Sequence, residues 1–263
     1  MRLFMGEPLS YREFQYPLNV FMHILTHEEG AVRYLHYGLF EGDDDSIDVA
    51  QERSTELLLS RLPPPPARLL DVGVGLGTTL ERLARLGYDA EGITPDEKQA
   101  AVTRGRVTVA SFETFGPDVG RVLNPSGRIG EPAPHWSYDV LLFQESSQYI
   151  NSDALFAKAR ALAPRVLVLD EFAMEPGTLH TLGGFLRAAA MNGFRVVENL
   201  DLSAKAAPTI DYFQMRFPRY RDALVADLGI TQQQVDELIA NGENYINRYH
   251  SGIYTYRLMD LVR

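Results

Sequence analysis

A chain of 263 residues, 45% of them hydrophobic, is long enough to bury the core of one large domain or of one domain with an added lobe. No apolar stretch approaches the roughly 20 residues that cross a bilayer, and residues 1–6 lack the long apolar region of a secretion signal, so a cytoplasmic protein without a membrane partner is expected. Zero cysteines exclude disulfides, thiolate metal sites and thiol nucleophiles, and a net charge of −10 without a basic stripe argues against a nucleic-acid partner.

Residues 10–62 carry apolar groups at helical spacing, in Leu18, Phe21, Met22 and Leu25 and again in Val49, Leu57, Leu58, Leu59 and Leu62, which predicts a helical leader. Within it His23 and His27 fall on one helix face. Ile24 follows His23 and no third ligand is evident, so the pair reads as capped or core histidines and not as a zinc-protease motif. The acidic run 41–48 reads as a solvated turn, and no metal is expected. Pro63-Pro64-Pro65-Pro66 then stops any helix, because proline has no N–H to donate. That boundary separates a helical lid, 1–62, from a main domain, 63–263.

Beyond it, strand-like and helix-like segments alternate, the pattern of an α/β domain whose parallel sheet is covered on both faces. Strands are predicted at about 68–72, 89–93, 106–110, 138–143, 165–170, 194–199 and 253–262, and helices near 78–86, 96–104, 153–162, 178–191 and 231–241. Glycines and prolines punctuate 115–137, which predicts an irregular surface loop there. Among the basic residues only Lys98, Lys158 and Lys205 are lysine, a bias of GC-rich bacterial genomes.

The most informative stretch is Asp71-Val72-Gly73-Val74-Gly75-Leu76-Gly77, entered from an apolar strand and left through the helical Thr78-Thr79-Leu80. Such a turn brings main chain close to a nucleotide-like ligand. A dinucleotide fingerprint requires glycine at the sixth position, where this chain has Thr78, and usually an acid where Thr94 stands, so a nicotinamide oxidoreductase is the outside reading. Two further runs end apolar strands in polar groups: Gln144-Glu145-Ser146-Ser147-Gln148-Tyr149 and Asp170-Glu171. Open α/β sheets keep their ligands at that edge. The second pair either faces the site or caps a turn, and its sequence does not choose.

Glycine at the first, third and fifth positions, with an acid two residues before the first, resembles the loop of the class I S-adenosylmethionine-dependent methyltransferases. The resemblance covers about residue 45 to the end and implies a Rossmann-like, seven-stranded, mostly parallel sheet with helices on both faces, under the N-terminal helical lid. Gly92-Ile93-Thr94 followed by Gln99 is similar to the subset that contains the cyclopropane synthases and small-molecule methyltransferases. By that resemblance Asp71, Gly73, Gly75 and Gly77 hold the cofactor S-adenosylmethionine, whose product is S-adenosylhomocysteine. Thr94 and Gln99 hold its ribose, Ser111 and Phe112 meet its adenine, and Gln144 and Tyr37 complete the contacts. Thr94 as a plain helix cap and Phe112 as plain core remain alternatives. The subset carries an acid and a histidine shortly after Glu145, where this chain has Gln148 and Tyr149, so ring closure with bicarbonate is in doubt while methyl transfer is not.

The resemblance thus implies methyl transfer to a small-molecule acceptor in bacterial specialised metabolism. A cyclopropane synthase-like enzyme and a catalytically silent cofactor-binding partner are the alternatives. If the acceptor must lose a proton, Glu145, Tyr149, His36 and His180 are the candidate bases. Residues 200–250 and the leader are expected to close an acceptor pocket with Tyr212, Phe213, Phe217, Tyr220, Tyr11 and Tyr16 available for it. A homodimer through the leader is a further expectation.

Overall fold

Strand β1 (Arg68–Val72) is buried over all but its first residue because it lies inside a seven-stranded sheet. The computed structural model describes residues 11–42, 45–116, 137–177 and 179–263. The other strands are β2 (Asp89–Thr94), β3 (Val107–Val109), β4 (Val140–Gln144), β5 (Arg165–Ala173), β6 (Arg195–Asp201) and β7 (Tyr254–Val262), in the order β3-β2-β1-β4-β5-β7-β6. All pairs are parallel except those of β7, which runs antiparallel between β5 and β6. Strand alternation divides the core in two. Leu70, Val72, Phe143, Val166 and Val168 pack on one face, and Leu69, Leu142, Leu167 and Leu169 on the other. All seven predicted strands are present, most within two residues of the expected ends. Most of the predicted loop, residues 117–136, lies outside the described residues.

The leader differs from expectation. Helices α1 (Leu18–Glu29) and α2 (Ile47–Leu59) are separated by a non-helical strap, which starts where Gly30 caps α1 in the left-handed region at φ 78°. The strap's main chain is bonded to distant parts of the chain instead of to itself. The Tyr37 amide donates to Glu145 Oε1 at 2.6 Å, the Gly38 amide to Thr209 Oγ1 at 3.0 Å and the Phe40 amide to the Lys205 carbonyl at 2.9 Å. Thr78 donates to the Arg33 carbonyl.

Helices α3 (Thr78–Arg85), α4 (Glu97–Val102), α5 (Ser152–Leu162) and α6 (Leu182–Met191) alternate with the strands, and four more fill the stretch after β6, where one was predicted: α7 (Ser203–Ala206), α8 (Pro208–Gln214), α9 (Phe217–Leu228) and α10 (Gln232–His250). Pro208 and Pro218 stand in first turns, where a missing N–H costs no helix bond. Thr231 and Gln234 form a reciprocal capping box on α10, which continues past Gly242 because Tyr245, Ile246 and Tyr249 keep packing on the sheet. Val20, Ile24 and Leu25 of α1 share a third core with Phe217, Leu224 and Val235 of α9 and α10, so the leader and residues 208–250 make one cover. Among the described residues no helix is long and apolar enough to cross a membrane.

Candidate active site

The strand order reverses between β1 and β4, and a cavity of about 790 Å³ opens there under the cover. The turn after β1 forms its floor. Gly73 and Gly75 sit at φ 81° and 55°, where a side chain is strained. A Cβ on Gly73 would stand 2.5 Å from that of Ser146, so the turn presses against the end of β4. A Cβ on Gly75 would meet only Leu35, at 3.8 Å, so the main chain there borders open space. Asp71 is buried at the cavity, its Oδ2 has no hydrogen-bond partner, and desolvation pushes its carboxyl up to about 7. A buried acceptor left unpaired is costly, and a ligand ammonium or hydroxyl satisfies it. Gly77 does not line the cavity. It starts α3 (Thr78–Arg85), and a Cβ there would collide with Thr103.

At the end of β2 the buried Thr94 donates to Gln99 Oε1 at 3.0 Å, and both line the cavity. The cap of α4 (Glu97–Val102) is Asp96, whose carboxylate accepts from the amides of Lys98 and Gln99, so Thr94 is not the cap residue. Ser111 and Phe112 line the same end. Phe112 is also core, edge-on to Phe143 at 5.4 Å.

Gln144 sits in a chain of bonds that ends on the strap. Its Oε1 accepts from Thr79, its Nε2 donates to Thr55 Oγ1 at 3.3 Å, Thr55 meets His36 Nε2 at 3.0 Å, and His36 Nδ1 meets the Tyr37 carbonyl at 2.9 Å. His36 therefore carries its proton on Nδ1 and has no nitrogen free. Burial pushes it down to about 4, which suits a positioning group and not the base expected of it. His180 is a second correction. It bonds the Glu171 carbonyl at 3.0 Å, lies flat on Phe172 at 4.5 Å, and does not line the cavity. Tyr149 stands exposed at the rim.

Glu145 takes φ 54°, a conformation that costs a non-glycine residue roughly 1 kcal/mol or more. Its Oε1 accepts from the Tyr37 amide and from the Tyr256 hydroxyl at 2.7 Å, and desolvation, eased by those bonds, raises its carboxyl. Beside it Glu171 accepts from the hydroxyl of Tyr249, while burial lifts it to about 7. Tyr37 itself lies flat on Tyr256 at 5.7 Å. Glu171 and Tyr245 also line the cavity. Neither was among the named candidates, although the acid pair ending β5 was visible.

Leu18, Phe21, Leu25, Phe213, Phe217 and Leu238 wall the outer part of the cavity. The other expected aromatics turn elsewhere: Tyr212 and Tyr220 donate to Glu29 and Glu28, each at 2.7 Å, and Tyr16 to the Gln234 carbonyl. Tyr11 sits edge-on to His23. His23 and His27 occupy the side of α1 away from the cavity, and His23 meets Asp227 of α9 at 3.0 Å.

These shifts fix a pH dependence. Asp71, Asp170 and Glu171 have carboxyls raised to between about 6 and 7, so the stability they confer is present below about pH 4 and lost as pH rises through 6 to 7, and the raised Glu145 acts in the same direction. His36 and His180, both lowered to about 4, and His23 act oppositely, with stability present above about pH 6.5 and lost below it. Four carboxyls outweigh three histidines. The ligand-free protein is expected to melt at a lower temperature at pH 8 than at pH 5.5, and calorimetric scans at the two values check it; a higher melting temperature at pH 8 contradicts it.

No protein-family model matches the chain. It is 22% identical over 228 residues to the (+)-O-methylkolavelool synthase of Herpetosiphon aurantiacus, covering 78% of this chain and 81% of that one. It is 28% identical over 201 residues to an O-methyltransferase of Pyrenophora dematioidea, covering 66% and 73%. Among solved structures, mycolic acid cyclopropane synthase CmaA1, complexed with S-adenosylhomocysteine and CTAB, superposes with a TM-score of 0.72 at 18% identity, over 97% of this chain and 93% of that one. With the glycine turn at the switch point and β7 inserted antiparallel, the chain has the fold of the class I S-adenosylmethionine-dependent methyltransferases, in the form that the cyclopropane synthases share.

Proposed function

We propose that this protein transfers a methyl group from S-adenosylmethionine to a small, largely apolar acceptor in bacterial specialised metabolism. One observation carries the reading: a single cavity joins an unpaired buried carboxylate over a glycine turn to a compartment walled by Leu18, Phe21, Leu25, Phe213, Phe217 and Leu238. Its volume suits one cofactor end and a small partner. When bound, S-adenosylmethionine supplies a methyl group already activated on a positive sulfur. Asp71 would take the amino-acid ammonium, Thr94 and Gln99 the ribose hydroxyls, and Ser111 and Phe112 the adenine. The strap shields the reacting end from water, with Tyr37 lying on Tyr256 and the His36–Thr55–Gln144 chain fixing its register.

The two curated relatives named above are O-methylating by name, which supports an oxygen acceptor here. Gln148 and Tyr149 stand at the cavity where the ring-forming relatives are expected to carry an acid and a histidine, which supports plain transfer over ring closure. Incubation with labelled cofactor and a panel of apolar alcohols, phenols and amines is expected to release S-adenosylhomocysteine with at least one of them. Tight cofactor binding with no turnover across the panel would favour a silent binding partner instead.

A further inference from the structure

The acceptor end of the cavity has an unusual charge arrangement. Glu145 from β4 and Glu171 from β5 both line it and feel each other's charge. No salt bridge reaches either among the described residues. Arg33 is the only lysine or arginine among the described lining residues, and it sits at the rim with Asp48 at 3.6 Å. What holds the two acids is a set of donors: Tyr37 gives its amide and Tyr256 its hydroxyl to Glu145, and Tyr249 gives its hydroxyl to Glu171. Buried carboxylates without a cation are stable only if protonated or if a ligand brings a proton or a positive charge.

We infer that Glu145 and Glu171 form one proton-accepting pair, and that this end of the cavity admits a hydroxyl or ammonium head on an apolar body and turns away carboxylate and phosphate heads. The inference rests on the methyl-transfer reading for its place in a reaction and on the geometry alone for its binding preference. In the proton step the head's O–H or N–H bond breaks, its electron pair stays on the oxygen or nitrogen, and a new O–H bond forms on a glutamate of the pair. The acidic rim residues Asp96 and Glu113 and the unpaired Asp71 add to the same field.

The test uses three eight-carbon probes, 1-octanol, octylamine and octanoate, titrated calorimetrically into the protein saturated with S-adenosylhomocysteine. At pH 8 the alcohol and the amine are expected to bind at least about ten-fold tighter than octanoate, a gap of about 1.4 kcal/mol. Glu171→Gln keeps the shape and removes one charge, and it is expected to narrow that gap to under about three-fold. The wild-type protein supplies an arm that does not depend on the variant folding: discrimination against octanoate grows from pH 6 to pH 8. Over that interval Glu171, lifted to about 7, loses its proton, and Asp170, lifted to about 6, finishes losing its own. Tyr37, Tyr245, Tyr249 and Tyr256, all raised, stay neutral, and so does His180, lowered to about 4. Octanoate binding as tightly as octanol at pH 8, or a gap unchanged by both pH and Glu171→Gln, overturns the inference. Failure of the wild-type protein to bind S-adenosylhomocysteine would overturn the transfer reading alone, and the same probes then decide this one without it.

Discussion

Gly75→Trp is expected to weaken S-adenosylhomocysteine binding by at least about 100-fold, roughly 2.7 kcal/mol, while the protein still folds. The position is the one glycine of the turn where an added side chain meets open space in place of protein: its Cβ has only Leu35 near, at 3.8 Å, and the opening is the cavity. The backbone penalty at φ 55° is roughly 1–2 kcal/mol, a loss a domain of this size tolerates. Gly73→Ala gives the contrast. Its Cβ would overlap Ser146 at 2.5 Å, so that variant is expected to lose thermal stability as well as affinity. Titration calorimetry and a melting scan on both variants separate the two effects, and undiminished binding by Gly75→Trp would remove the turn from the site.

Phe217→Ala is expected to cost about 3–5 kcal/mol of stability. Phe217 is 2% exposed, begins α9, and joins the leader to the rest of the cover through Phe21 at 5.9 Å and Phe213 at 6.4 Å. Truncation leaves a void in a core that has ten buried side chains among the described residues, a small set in which to close it. Because Phe217 also walls the apolar compartment, binding of apolar ligands is expected to fall with stability. S-adenosylhomocysteine affinity is expected to stay within about three-fold, since the glycine turn lies in a different core. Urea denaturation and calorimetry check this, and an unchanged urea midpoint contradicts the role given to the ring.

Much of the sheet is legible in the sequence because its strands are short apolar runs bounded by glycine and proline, and parallel strands buried on both faces need no alternation. Strand β5 shows where that logic stops. Asp170 and Glu171 look like the end of a strand, yet it continues to Ala173 because β7, eighty residues later, pairs across them and Tyr249 and Ser147 bond their carboxyls. The strap is a second such place: the helical spacing in the leader lies at 18–25 and 49–62, and the amides between them are claimed by Glu145, Thr209 and Lys205. The cofactor half of the site is a local motif and could be read. The acceptor half is assembled from β4, β5, β7, α10 and the strap, so Glu171 shows in the sequence only as one of an undecided acid pair, Tyr245 carries no local signal, and His180 faces Phe172.

The strap changes how traffic through the crevice has to be pictured. Its amides are stitched at intervals to three separate parts of the molecule, so lifting it would break bonds at every stitch together. A ceiling fastened in this way is laid down with the fold and does not swing like a flap. Passage in and out is left to the parts of the cavity lining that the strap does not hold, among them the exposed ring of Tyr149.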